Sequence, residues 1–130
     1  MKNFREIPAQ QLENITRLFQ SDWALITAGN EENDRLSLCF LPEEYRAALQ
    51  LCGKESGRDM DKFAAAGLTP AFLDGVPFVA ESRLIVFCRK IYVDDLRPEC
   101  FLDKEPLRYY EAGDFHRVYT CEIEKILIKD

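Results

Sequence analysis

Ser82-Arg83-Leu84-Ile85-Val86-Phe87-Cys88-Arg89-Lys90-Ile91-Tyr92 is the most hydrophobic stretch of the chain. An unbroken apolar run rich in β-branched and aromatic side chains, followed by the mixed segment Arg89 to Tyr92, predicts a central strand. A second long strand is expected over Arg117 to Lys129. Its inward residues change phase between Ile123 and Ile126, so a bulge or bend is expected there. Shorter strands are expected at Trp23 to Ala28 and at Arg35 to Phe40, where Leu36, Leu38 and Phe40 alternate with Arg35, Ser37 and Cys39. A turn of Gly-Asn-Glu-Glu-Asn-Asp separates them.

Helices fill the spaces between these runs. Leu12, Ile15, Leu18 and Phe19 recur at helical spacing behind Pro8. Pro42, Glu43 and Glu44 suit the first turn of another helix, which places Tyr45, Leu49 and Cys52 on one face and stops at Gly53. A third is expected from Asp59 to Ala66, closed by Gly67. Residues 71–80, with Gly75 and Pro77, read as a loop or irregular edge. Pro98, Pro106 and the turn Glu111-Ala112-Gly113-Asp114 break the chain before His116.

The 130 residues are 47% hydrophobic, enough for one domain over 1–130 with a real core, and no repeat or linker interrupts them. Acidic residues outnumber basic ones 23 to 17, for a net charge of −6, which argues against nucleic acid as a partner. No apolar run is long enough to span a bilayer and none follows the basic N-terminal residues, so the reading is cytoplasmic, with no membrane partner. Five widely spaced cysteines read as reduced thiols, with Cys39, Cys88 and Cys121 as small apolar fillers in strands. There is no Cys-x-x-Cys pair and only one histidine, so no metal site is expected.

No Rossmann or Walker-type glycine loop is present. The densest polar cluster is Gly53-Lys54-Glu55-Ser56-Gly57-Arg58-Asp59-Met60-Asp61-Lys62-Phe63. Lys54, Arg58 and Lys62 in such a loop could neutralise a phosphate or orient a polar heterocycle. The plainer reading makes Ser56 or Asp59 an N-cap and leaves the cations solvated. His116, beside Asp114 and Arg117, is either a ligand contact or an incidental loop residue. The aromatic group Tyr92, Phe101, Tyr109, Tyr110, Phe115 and Tyr119 could stack on a ring system or pack a core or an interface. No local pattern pairs a cysteine with His116 as an activated nucleophile, and no residue is assigned a catalytic role.

Four segments taken in order are similar to landmarks of the flavin reductase-like family: Asp22-Trp23-Ala24-Leu25-Ile26-Thr27-Ala28-Gly29, Leu36 to Arg46, Ser56-Gly57-Arg58-Asp59 with Asp61-Lys62, and Gly113-Asp114-Phe115-His116-Arg117. Gly67-Leu68-Thr69-Pro70 and the closing strand Glu122 to Lys129 extend the resemblance over nearly the whole chain. It implies a mainly β, α+β fold of the FMN-binding split-barrel type with short peripheral helices, and a homodimer holding FMN near the subunit interface. It implies electron transfer between NAD(P)H and flavin or a flavin-linked acceptor, with flavin and nicotinamide small molecules as partners. Carried onto matching positions, Lys54, Ser56, Gly57, Arg58, Asp59 and Lys62 would lie beside the cofactor and His116 would approach it.

One departure qualifies that picture. In the family a few dozen residues separate the Trp-containing strand from the Leu-Ser-Leu-Cys-Phe strand, whereas here only residues 30–35 intervene. The stretch without a counterpart normally includes a threonine-rich strand and an Arg-Tyr-Thr segment that grip FMN. An internal deletion there would leave the barrel incomplete. The alternative function is then a truncated split-barrel dimer that has lost FMN and acts as a non-catalytic binding module. A thiol-based redox protein is a third reading, resting only on the cysteines.

Overall fold

The computed structural model describes residues 3–12, 24–27, 34–54 and 62–129, the side chains of 52–54 and 62 excepted. Among the described residues seven strands form: β1 (Phe4–Ile7), β2 (Ala24–Thr27), β3 (Arg35–Phe40), β4 (Pro70–Leu73), β5 (Val76–Val79), β6 (Leu84–Asp95) and β7 (Arg117–Lys129). Two short helices accompany them, α1 (Arg46–Lys54) and α2 (Lys62–Ala66). The expected class, mainly antiparallel strands with short peripheral helices, is what forms.

The larger sheet has the order β1-β7-β6-β3-β2, and β4-β5 is a separate hairpin. The run that predicts a central strand therefore lies in the middle of the sheet. Leu84, Ile85, Val86, Phe87 and Cys88 are all buried because both faces are covered, which is why that stretch reads as a continuous apolar run. On one face Ile85 and Phe87 join Phe78 and Val79 of the hairpin, Leu49 of α1 and Leu127 of β7. Phe78 is the hub, meeting Phe4 and Phe87 edge to face at 6.1 and 5.7 Å. On the other face Leu84, Val86 and Cys88 gather with Ile7, Leu36, Phe40 and Ile126.

The phase change in β7 is a bulge. Phe87 pairs with Lys125 and Cys88 with Ile123, so Glu124 is the extra residue, within the expected interval. Its carboxylate accepts from Arg35 Nε at 2.9 Å and so ties the bulge to β3. A second register shift falls between Lys90 and Tyr92.

Three expectations need correction, and one strand was not foreseen. Residues 71–80 are a hairpin rather than a loop: Asp74 and Gly75 take φ of +51° and +79°, the left-handed pair that a two-residue hairpin turn requires. Strand β1, with little apolar alternation of its own, forms because β7 extends far enough to pair with it, Phe4 opposite Lys129 through Ile7 opposite Ile126. The helix expected from Pro8 is a single 3-10 turn over Ala9–Gln11, after which Leu12 is extended and packs against the second core cluster; its remainder lies outside the described residues. Gly53 does not stop the next helix, which opens as a 3-10 turn at Glu43–Tyr45 and runs through Lys54. Of the helix expected over Asp59 to Ala66, the described part is α2, and Gly67 closes it at φ +71°.

Candidate functional site

Of the residues expected to bind a cofactor, Ser56, Gly57, Arg58 and Asp59 lie outside the described residues. Lys54 ends α1 and Lys62 begins α2, so the backbone on either side of that loop is placed. Phe63 and Ala66 of α2 pack against the cluster that holds Phe87. The loop therefore springs from helices seated on the buried half of β6.

His116 sits elsewhere. It precedes β7, and its carbonyl accepts the Leu96 N–H at 2.9 Å, just beyond the end of β6. At about 3.3 Å per residue, Phe87 and Asp95 are roughly 25 Å apart along the strand. The helices that flank the loop and His116 thus lie toward opposite ends of β6 within one chain. Around His116 an aromatic cluster forms: Tyr110 stacks on Phe115 at 4.8 Å and an 18° tilt, and Phe101 leans on both. Tyr110 meets the imidazole edge to face at 5.4 Å, and its hydroxyl lies 2.6 Å from Nδ1. Tyr109 instead turns outward beneath the Arg108 guanidinium. Tyr92 and Tyr119 stand exposed on the far half of the β6–β7 ribbon, with Lys90 Nζ 4.6 Å above the Tyr119 ring.

The electrostatics restrict where an anion would bind. Arg35, Arg89 and Arg117 face Glu124, Glu122 and Asp95, and Arg46, Arg97 and Arg108 each face a carboxylate three residues away. The hydrogen bond from Arg117 holds the Asp95 carboxyl below its usual range. Lys54, Arg58 and Lys62, the cations expected at a phosphate, have side chains outside the described ones. A ring would find aromatic edges and an imidazole near His116. In kind, these donors fit an anionic heterocycle. Among the described residues no group of three or more His, Cys, Asp or Glu side chains is placed to hold a metal ion.

One buried polar constellation escaped the sequence reading. Thr27 and Ser37 stand directly opposite on β2 and β3, their hydroxyls hydrogen-bonded to each other and each within hydrogen-bond distance of the Pro77 carbonyl of β5, at 2.6 and 2.8 Å. Cys39 joins them, 3.4 Å from Ser37 Oγ and accepting the Val79 N–H at 3.4 Å. This node fastens the hairpin to the larger sheet, and only the strand register could have revealed it. Cys88 is buried as well, and desolvation pushes its thiol up to about 11, followed by smaller contributions from Cys121 and Glu124. A thiol so placed is not an activated nucleophile.

No helix among the described residues is long and apolar enough to cross a membrane. None of the curated proteins searched matches the chain. The solved structures similar to the chain include the following two. A Shewanella frigidimarina NCIMB 400 protein described as a flavin reductase with split barrel domain shares 17% identity, with 70% of this chain and 57% of that chain covered and a TM-score of 0.44. Nitrilotriacetate monooxygenase component B from Bacillus cereus shares 15% identity, with 98% and 55% covered and a TM-score of 0.46. The chain thus spans a little over half the length of each. The family model of the flavin reductase like domain matches residues 24–130, a span that takes in β2 to β7, the loop between the helices and His116. With most of its length matched in this way, the chain belongs to the flavin reductase-like domain family.

Proposed function

We propose that this chain binds FMN and moves electrons between NAD(P)H and flavin or a flavin-linked acceptor, as a homodimer in the cytoplasm. The observation that carries this reading is the family match over residues 24–130, which includes every residue expected at the cofactor. FMN would supply the redox chemistry by accepting and passing on a hydride equivalent. The chain's own part is positional. Lys54, Arg58 and Lys62 would neutralise the phosphate, Ser56 and the Gly57 backbone would offer short-range hydrogen bonds, Asp59 would fix the loop, and His116 would present a ring nitrogen to the bound heterocycle. No protein acid or base is required for hydride transfer itself.

The homodimer is supported by the far half of the ribbon. Val93 and Tyr119 face each other across β6 and β7, and Ile123 follows on the same side of β7; all three are exposed. A second copy laid against this face would cover apolar surface that the single chain leaves in water. It would also allow the loop of one copy and His116 of the other to share a site.

A second reading has its own support. Strand β2 pairs directly with β3, Ala24 opposite Phe40 through Thr27 opposite Ser37, with only residues 28–34 between them. The connection leaves no room for the FMN-gripping strand of the resemblance. On this reading the chain is a truncated split-barrel dimer that has lost FMN and serves as a non-catalytic binding module.

An FMN titration of the purified protein, followed by thermal midpoint and by absorption between about 350 and 500 nm, separates the two, because a ligand of the folded state raises its stability. Flavin bands and a midpoint rising with FMN are expected. A colourless protein whose midpoint ignores FMN would leave the binding-module reading.

A further inference from the structure

We propose that Tyr110 is a positioning residue that holds His116 in one tautomer, with Nδ1 accepting from the tyrosine hydroxyl and Nε2–H turned outward as the donor to a ligand oxygen. The use of that donor rests on the flavin-binding reading above; the tautomer does not.

Three contacts fix the imidazole. The main chain of His116 is pinned where its carbonyl accepts the Leu96 N–H at 2.9 Å. The ring lies edge to face with Tyr110 at 5.4 Å, and Nδ1 is 2.6 Å from the Tyr110 hydroxyl. Tyr110 is itself held by its stack on Phe115 and by Phe101, so the hydroxyl is delivered from a packed platform rather than a free side chain. The turn between them allows this: Gly113 takes φ +77°, a conformation strained for other residues, and folds the chain back so that Tyr110 and His116 meet.

The direction of the hydrogen bond follows from the chemistry of the two groups. A phenol O–H is a good donor and the lone pair of a neutral imidazole nitrogen a good acceptor, so the pair settles with the proton on oxygen and Nε2 carrying the ring N–H. An imidazole held this way offers one directed donor, suited to a carbonyl oxygen of a heterocycle. The role of Tyr110 is separable from packing, because Tyr110→Phe keeps the stacked ring and removes only the hydroxyl.

His116 is the chain's single histidine, so its imidazole nitrogens are the only ones in a ¹⁵N spectrum. The test is long-range ¹H–¹⁵N correlation on flavin-free protein at about pH 8.5, where an ordinary imidazole is neutral. Expected for the wild type are a pyrrole-type shift at Nε2 and a pyridine-type shift at Nδ1 displaced by an accepted hydrogen bond. In Tyr110→Phe the Nδ1 shift moves to that of an unbonded nitrogen, while the thermal midpoint stays put. A pyrrole-type Nδ1 in the wild type, or an Nδ1 shift that Tyr110→Phe leaves unchanged, would overturn the proposal. Because no flavin is present, the shifts are read independently of cofactor binding: a protein that shows them but whose thermal midpoint ignores added FMN would sink the FMN reading and leave the tyrosine's role standing.

Discussion

The two halves of the β6–β7 ribbon are built from one pair of strands yet behave as different materials. From Leu84 to Cys88 every side chain of β6 is buried, covered on one face by the β4–β5 hairpin and the helices. From Ile91 to Val93 and again at Val118, Tyr119 and Ile123, residues of equal β-propensity stand in water. Strand formation is therefore separate from burial: the inner half stabilises the fold, and the outer half leaves apolar side chains exposed.

The comparison is most easily broken in the inner half. Phe78→Ala removes the aromatic hub and is expected to cost about 3 to 5 kcal/mol in chemical denaturation. A loss below about 1 kcal/mol would show that the hairpin does not secure the sheet.

The hydroxyl node gives the next largest effect, with a characteristic non-additivity. Ser37→Ala or Thr27→Val alone leaves the Pro77 carbonyl one donor and should cost about 1 kcal/mol. The double variant orphans that half-buried carbonyl, so it should exceed the sum of the singles by about 1 kcal/mol. Strict additivity would mean that water reaches Pro77.

Cys88 sharpens the same contrast through pH. Its folded-state thiol titrates near 11 against a reference of 9.0, so between those values the unfolded chain has shed a proton that the folded chain keeps. Stability is accordingly unaffected below pH 9 and falls as pH rises to about 11. In Cys88→Ala that alkaline slope should shrink, and an unchanged slope would assign it to other groups.

The smallest effect belongs to the outer half. Asp95→Asn removes the partner of Arg117, both exposed. The depressed Asp95 carboxyl contributes above its reference value of 3.8 and loses that contribution as pH falls through its lower folded value. Denaturation near neutral pH should barely move, and about 1 M salt should erase any difference.

Legibility in the sequence followed the same division. The central strand, the β7 span and its bulge were readable because burial on both faces writes a continuous run and a bulge writes a change of parity. The β4–β5 hairpin was missed although Asp74-Gly75 is a strong turn signal, because Gly75 and Pro77 counted against strands. Pro70 only opens β4, and the two-stranded sheet leaves outer edges where a missing N–H is tolerated. Strand β1 was invisible because its pairing comes from β7 and not from its own pattern. For the site, His116 was named from sequence but Tyr110 was not recognised as its partner, since that contact depends on how the chain folds back at Gly113.

The most direct test of the division is sedimentation velocity with FMN binding, run on the wild type and on a Val93→Asp, Tyr119→Asp double variant. A flavin-binding dimer is expected for the wild type, and a folded monomer without FMN for the variant, with the far-ultraviolet circular dichroism of the parent. A variant that stays dimeric, or a monomer that binds FMN as tightly as the wild type, would contradict that expectation.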